Sequence, residues 1–448
     1  MFSNDPISKR RKGDPSSVIS FLKRYFEFER RKTDFRTEII AGTTTFLAMA
    51  YIIFVNPHIL AVPGMPKTAL ITVTCVATAL ATILTAFYAK APIAMAPGMG
   101  LNAFFAYSLV LHDKISWPTA LGIVFFSGFF FFGLTVLGIR RKLVEAIPRS
   151  LIAAMAVGIG LFITFIGLVN LGLVVKNEET LISAGHITPT VLIGLAGFLV
   201  MILLEMNGLK GSLLIGIAIS TAIAALTGQI TAPSSWMSLD FDFASISFKL
   251  DIAGALKFGF FGAIFTLMFM DLFDSIGSLV ACCHQAKLTD EKGNIKDLDK
   301  LLMANAGATM VGAALGTSTV TTYVESVTGI EQGGRSGFTA VVVAFWFIVG
   351  MFFSPLIAVV PVYATAPALI LVGFFMLREI RHIDFSELEE GLPSFIIITM
   401  IALSYSISTG LAFGFISFIL LKVIRLKFGE IKPVLWLIGL LSLLFFIF

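Results

Sequence analysis

The sequence predicts an all-α polytopic membrane protein. Three observations carry that prediction: too little charge for a soluble chain, apolar runs of bilayer length, and basic residues gathered on one side of those runs. Of the 448 residues, 57% are hydrophobic and 13% charged, whereas a soluble domain carries about 25% charged residues. No soluble core could hide that much apolar surface. A lipid bilayer solvates it, provided each helix satisfies its own backbone. The net charge of +4 follows from loop lysines and arginines and points to no nucleic-acid partner.

The hydrocarbon core takes about 20 apolar residues per helix. By that measure, spans are expected near 38–60, 68–88, 93–111, 117–139, 150–172, 187–206 and 211–228. A polar stretch, SSWMSLDFDFASISFKLD, separates them from a second set near 257–282, 299–315, 318–331, 335–355, 358–378, 391–408 and 409–426. Residues 1–37 form a basic segment without the apolar run of a cleavable signal, and 428–448 form an apolar tail, either a surface helix or a further span.

With the N-terminus cytoplasmic, the inner loops hold Arg140, Arg141, Lys142, Arg149, Lys287, Lys292, Arg378, Arg381, Lys422, Arg425 and Lys427. The outer loops hold Lys67, Lys114, Lys176 and Lys249. That asymmetry sets the orientation and makes this a multi-pass protein of the cell inner (plasma) membrane. An odd number of spans per half makes the repeats 38–228 and 257–427 inverted. A loose co-linear match supports the repeat: AGTTTFLAMAYIIF with FGAIFTLMFMDLFDSIG, and IPRSLIAAMAVGIGLFITFIGL with VPVYATAPALILVGFFML.

Two spans depart from the rest. The third reads APIAMAPGMGLNAFFAY and the tenth GAALGTSTVTTYVESVTGI. Gly and Pro weaken a helix interior, and TSTVTTYV favours extended backbone. Interrupted segments at matching places in two halves point to a transport site, each with a short extended stretch ahead of a half-helix.

Carboxylates inside the apolar runs come next, since a charge at a helix centre costs about 2.5–3.5 kcal/mol on insertion scales. Asp271 and Asp274 lie in LMFMDLFDSIGSLV and Glu325 in TTYVESVTG. Neither run offers a nearby cation, so these acids are expected to hold protons or ligand N–H groups. Glu331 and Arg335 are expected to pair with each other. Phe104, Phe105 and Tyr323 lie where a planar ligand could stack. Cys75, Cys282 and Cys283 read as apolar fillers, and the histidines fall at span ends without metal-ligand spacing. No metal, no cofactor and no enzyme chemistry are expected.

At these segments the sequence resembles the AzgA-like purine permeases of the nucleobase:cation symporter-2 class. The resemblance rests on TEIIAGTTTFLAMAYIIFVNP, APGMGLNAFFAY, FDSIGSLV, GTSTVTTYVESVTGIEQGGRSGFTA and PVYATAPALILVG, spread over residues 37–427. It implies a fold like that of the bacterial uracil permease: fourteen helices in two inverted seven-helix repeats, helices 3 and 10 broken by short strands. Helices 1–4 and 8–11 would form a core domain, and helices 5–7 and 12–14 a gate domain. It also implies import of hypoxanthine, guanine or adenine with a proton, and leaves a homodimer open.

By the same resemblance, the family's helix-eight carboxylate falls on Asp274, its helix-ten glutamate on Glu325 and its helix-three polar residue on Asn102. Ser278 stands where uracil and xanthine transporters have histidine, and Asn305 where the family often has Asp. The substrate set expected is Asn102, Phe104, Asp274, Thr322, Tyr323 and Glu325, with Asp271, Asp274 and Glu325 handling protons. An anion carrier of the same architecture, for sulfate or bicarbonate, is the alternative. Two acids at the site argue against it, because they would repel an anion.

Overall fold

The structure is a computed structural model that describes residues 18–138, 147–231, 233, 235–288, 295 and 297–447. Residues 1–17 of the basic segment 1–37 and the inner-loop residues Arg140, Arg141, Lys142 and Lys292 lie outside them. The described chain is mostly helical, and eight of its helices are long and apolar enough to cross a membrane.

The first span is two helices, α1 (Phe35–Met49) and α2 (Ile52–Ala61). Pro57 sits inside α2; without an N–H it frees a carbonyl one turn earlier and loosens the helix ahead of it. α3 (Lys67–Leu84) returns. The third segment opens with β1 (Met95–Pro97), turns at Gly98 into α4 (Met99–Ala103) and continues as a wider π-helical stretch to His112. Then follow α5 (Trp117–Val136), α6 (Arg149–Leu171), the hairpin of β2 (Val174–Asn177) and β3 (Leu181–Ala184), α7 (Pro189–Met206) and α8 (Ser212–Leu226). That hairpin was not expected from the sequence.

The polar stretch after α8 lies over the ends of other elements: Ser238 N–H donates to Phe352 O at 2.9 Å and Phe248 N–H to Ala314 O at 2.7 Å. α9 (Phe261–Gln285) and α10 (Leu298–Leu315) come next. The tenth segment mirrors the third, with β4 (Val320–Thr322) leading into α11 (Ser326–Glu331). The chain continues through α12 (Gly337–Met351), α13 (Val362–Leu377), α14 (Leu388–Ser404) and α15 (Ile407–Ile424). The break between α14 and α15 falls at Tyr405, in the left-handed region at φ 55°, rather than near residue 408. Ser406 then caps α15, accepting from Thr409 N–H at 3.3 Å.

The tail forms α16 (Pro433–Ile447). It runs antiparallel to α15, since Gly439 packs on Ile419 while the rings of Phe446 and Phe413 meet at 4.7 Å. Its fifteen residues reach about 22 Å at 1.5 Å each, short of the roughly 30 Å hydrocarbon core.

α6 lies against α13 and α14, α14 against α15, and α7 against α8 and α13; α12 lies against α1 and α3, and α10 against α3 and α5. The joint between α1 and α12 is a buried carboxylate. Glu38 accepts from the backbone N–H groups of Arg335 (3.0 Å), Ser336 (3.2 Å) and Thr339 (3.0 Å) and from the Thr339 hydroxyl (2.5 Å). An acid capping a helix N-terminus is favoured by the orphan donors and the helix dipole there.

Candidate functional site

β1 and β4 pair antiparallel, with Met95 opposite Thr322, Ala96 opposite Thr321 and Pro97 opposite Val320. The ladder satisfies backbone groups that a broken helix would otherwise leave bare in an apolar surrounding. Gly98 lets the strands close up: a Cβ there would sit 2.8 Å from Thr321 Cγ2. Gly98 N–H donates to Thr319 O at 3.0 Å and Tyr323 N–H to Ala94 O at 3.0 Å. The Tyr323 phenol donates to Pro97 O at 2.6 Å. The crossing is thus braced from both strands.

Around it stand the acids. Glu325 is the N-cap residue of α11 and half-buried, and its Oε1 accepts from the Tyr51 phenol at 2.7 Å. Asp274, on α9, lies close enough to Glu325 for the two charges to interact, and its neighbour Ser275 meets the Thr321 hydroxyl at 3.1 Å. Asp274 is exposed, and a Cβ added at Gly277, one turn along the same face, would meet nothing within 4 Å. That face of α9 borders open space.

Asp271 turns the other way and is 1% exposed. It accepts from Asn305 Nδ2 at 2.8 Å, Thr309 Oγ1 at 3.1 Å and Ser275 Oγ at 3.2 Å. Among the described residues no cation approaches this carboxylate; Asn305 and Ser275 donate to it, Thr309 shares its single proton between Asp271 and Val320 O (2.9 Å), and the set ties α9 to α10. Asn305 is the residue that makes this arrangement workable: an aspartate in its place would set two carboxylates against each other.

The remaining expected residues surround the crossing in different states. Asn102, on α4, is fully buried, and among the described residues neither end of its amide has a partner. Thr322 donates its hydroxyl to Ser275 O at 3.3 Å. Phe104 and Phe105 are fully enclosed, so a stacking role would require their rings to move. Tyr323 is 5% exposed, with its hydroxyl engaged by Pro97.

One expected pairing is overturned. Glu331 Oε2 pairs with Lys210 at 3.3 Å, while the Arg335 guanidinium donates to the carbonyls of Ile330 (2.5 Å) and Gly334 (2.8 Å). Those carbonyls lie at and just after the C-terminal end of α11, where a cation is favoured. Tyr51 was missed altogether. Within AMAYIIF it reads as a packing aromatic; the one available signal was Pro57, which marks a loosened helix just upstream.

The fold and family of the chain follow from comparison. The transmembrane domain of the cyanobacterial bicarbonate transporter BicA superposes with a TM-score of 0.65 at 14% identity, covering 83% of this chain and 96% of that one; this likeness speaks to the fold alone. The adenine permease AdeP of Escherichia coli (strain K12) is 38% identical, covering 97% of each chain. The guanine/hypoxanthine permease PbuG of Bacillus subtilis (strain 168) is 40% identical, covering 95% of this chain and all of its own. The model of the Permease family matches residues 36–413. With that match across most of its length and relatives of this similarity end to end, the chain belongs to the Permease family.

Proposed function

We propose that the chain imports purine nucleobases across the cell membrane together with a proton, by alternating access around the β1–β4 crossing. The observation that carries this reading is Glu325: a carboxylate at a helix break, held by a phenol, with Asp274 beside it and Asn102 presenting an unpaired amide. A purine offers ring N–H groups and ring nitrogens on one flat edge. Glu325 accepts the N–H groups, Asn102 supplies a donor and an acceptor to the same heterocycle, and Asp274 takes the other edge or the coupled proton. AdeP is an adenine permease and PbuG a guanine/hypoxanthine permease.

In this reading the chain holds fourteen spans in two inverted halves, with the N-terminus cytoplasmic. The core (helices 1–4 and 8–11) carries the crossing and moves against the gate (helices 5–7 and 12–14). Support comes from strand-then-helix segments at matching places in both halves, and from the packing of α6 against α13 and α14 and of α14 against α15. An anion substrate is disfavoured because Asp274 and Glu325 would repel it.

The test is initial-rate uptake of radiolabelled hypoxanthine in vesicles with independently imposed proton and sodium gradients. Adenine, guanine, xanthine, uracil, sulfate and bicarbonate serve as competitors. Purine-inhibited uptake driven by a proton gradient is expected. Uptake driven by sodium alone would overturn proton coupling, and displacement by bicarbonate but not by purines would overturn the substrate class.

A further inference from the structure

Tyr51 stands at the junction of α1 and α2. Its ring is 1% exposed, so packing on every side fixes where the phenol points. Around it the backbone tightens from i→i+4 to i→i+3 bonding: Ile53 N–H donates to Ala50 O and Phe54 N–H to Tyr51 O, both at 3.1 Å. Such tightening inside a long helix is uncommon and recurs at functional hinges. Here it aims one hydroxyl at Glu325 Oε1, 2.7 Å away and 274 residues distant in sequence.

We propose that Tyr51 is a positioning residue for the substrate carboxylate. Resting on the functional reading above, the proposal assigns the phenol one lone pair of Oε1, which fixes the plane of the Glu325 carboxylate. The lone pairs left over accept two adjacent N–H groups of a planar heterocycle as a parallel pair. Among the described residues, Tyr51 is the side chain that donates to Glu325. Tyr323 cannot take over, because its phenol is held by Pro97 O at 2.6 Å. Asp274 faces Glu325 as a second acceptor and offers no orientation of its own. A carboxylate free to rotate would meet a flat base edge-on only part of the time, so orienting it raises affinity without adding a contact to substrate.

The test uses the purified full-length chain in lipid nanodiscs and measures guanine binding by calorimetry. Tyr51→Phe keeps the ring and removes only the donor. Its dissociation constant is expected to rise about 10-fold, as for loss of one hydrogen bond to a charged group. In the Glu325→Gln background the same change should alter binding less than about 2-fold, because residues acting through one another are not additive. Blocking one of the two adjacent N–H groups by methylation at N1 should shrink the effect of Tyr51→Phe.

A structural role alone predicts none of this coupling. Wild-type binding by Tyr51→Phe, or losses that multiply in the double variant, would overturn the proposal. Should Tyr51→Phe not purify as a single species, Tyr51→His retains an N–H donor, and binding within about 3-fold of wild type is expected. A loss as large as that of Glu325→Gln overturns the proposal. A wild-type chain that binds no purine defeats the functional reading first. One that binds purine, loses it with Glu325→Gln and ignores Tyr51→Phe defeats this inference alone.

Discussion

The segments around β1–α4 and β4–α11 share a backbone plan, a three-residue strand feeding a short helix, yet they bring opposite chemistry to the crossing. The first supplies carbonyls, from Ala94 and Pro97, and one neutral amide, Asn102, whose two ends have no partner. The second supplies hydroxyls, from Thr321 and Thr322, and a carboxylate already engaged by Tyr51. One side of the site is therefore pre-organised around charge, and the other is left unsatisfied until something fills it. A buried amide with nothing to bond costs stability, so its retention at a helix break fits a group kept for a ligand.

Four measurements would break or sharpen that contrast. The largest effect is expected from Glu325→Gln, which removes the charged acceptor while preserving shape. Losing one charge-assisted hydrogen bond is worth about 1.5–3 kcal/mol, and each 1.4 kcal/mol is tenfold in affinity, so hypoxanthine KM should rise at least tenfold at unchanged expression. Wild-type uptake would remove Glu325 from the site.

Asp274→Asn comes next. Its face of α9 borders open space, so uptake should drop roughly 10-fold while the melting temperature of the purified chain stays put. A large fall in melting temperature with normal uptake would recast Asp274 as structural.

Asn102→Ala tests the neutral half. A lost neutral hydrogen bond is worth about 0.5–1.5 kcal/mol, so affinity should weaken several-fold. Thermal stability should hold or rise, because the substitution removes two unpartnered polar atoms. Destabilisation would show that Asn102 already has partners within the fold.

The smallest transport effect is expected from Asp271→Asn. Its three donors make it a joint between α9 and α10, and a mismatched partner there costs about 1–3 kcal/mol. Lower thermal stability with uptake within about threefold of wild type is the expected pair of results. Loss of uptake at full stability would place Asp271 on the proton path.

Where the helices break was legible from local chemistry. Pro97 and Gly98 in one segment and TSTVTT in the other disfavour a continuous helix, so an extended stretch ahead of a half-helix could be expected in both before any contact was known. The hairpin β2–β3 escaped notice because VVKN and LISA are too short to show alternation. The α14–α15 boundary was misplaced because Tyr405 takes a left-handed turn that no glycine announces. Asp271 and Asp274 looked alike in sequence, three residues apart in one apolar run. Only the donors of α10 tell them apart.

Residence in a membrane, the apolar spans, the two interrupted segments and the presence of intramembrane acids were determined by the sequence alone, because each depends on composition and near neighbours. The tertiary structure decided which polar group answers which. It joined Tyr51 to Glu325, gave Asp271 to Asn305 and Thr309, capped α12 with Glu38, and sent Glu331 to Lys210 rather than Arg335. Those partners lie tens to hundreds of residues apart, and nothing local encodes them. In a low-dielectric interior every buried polar atom needs a partner, and only the packed helices determine which one is within reach.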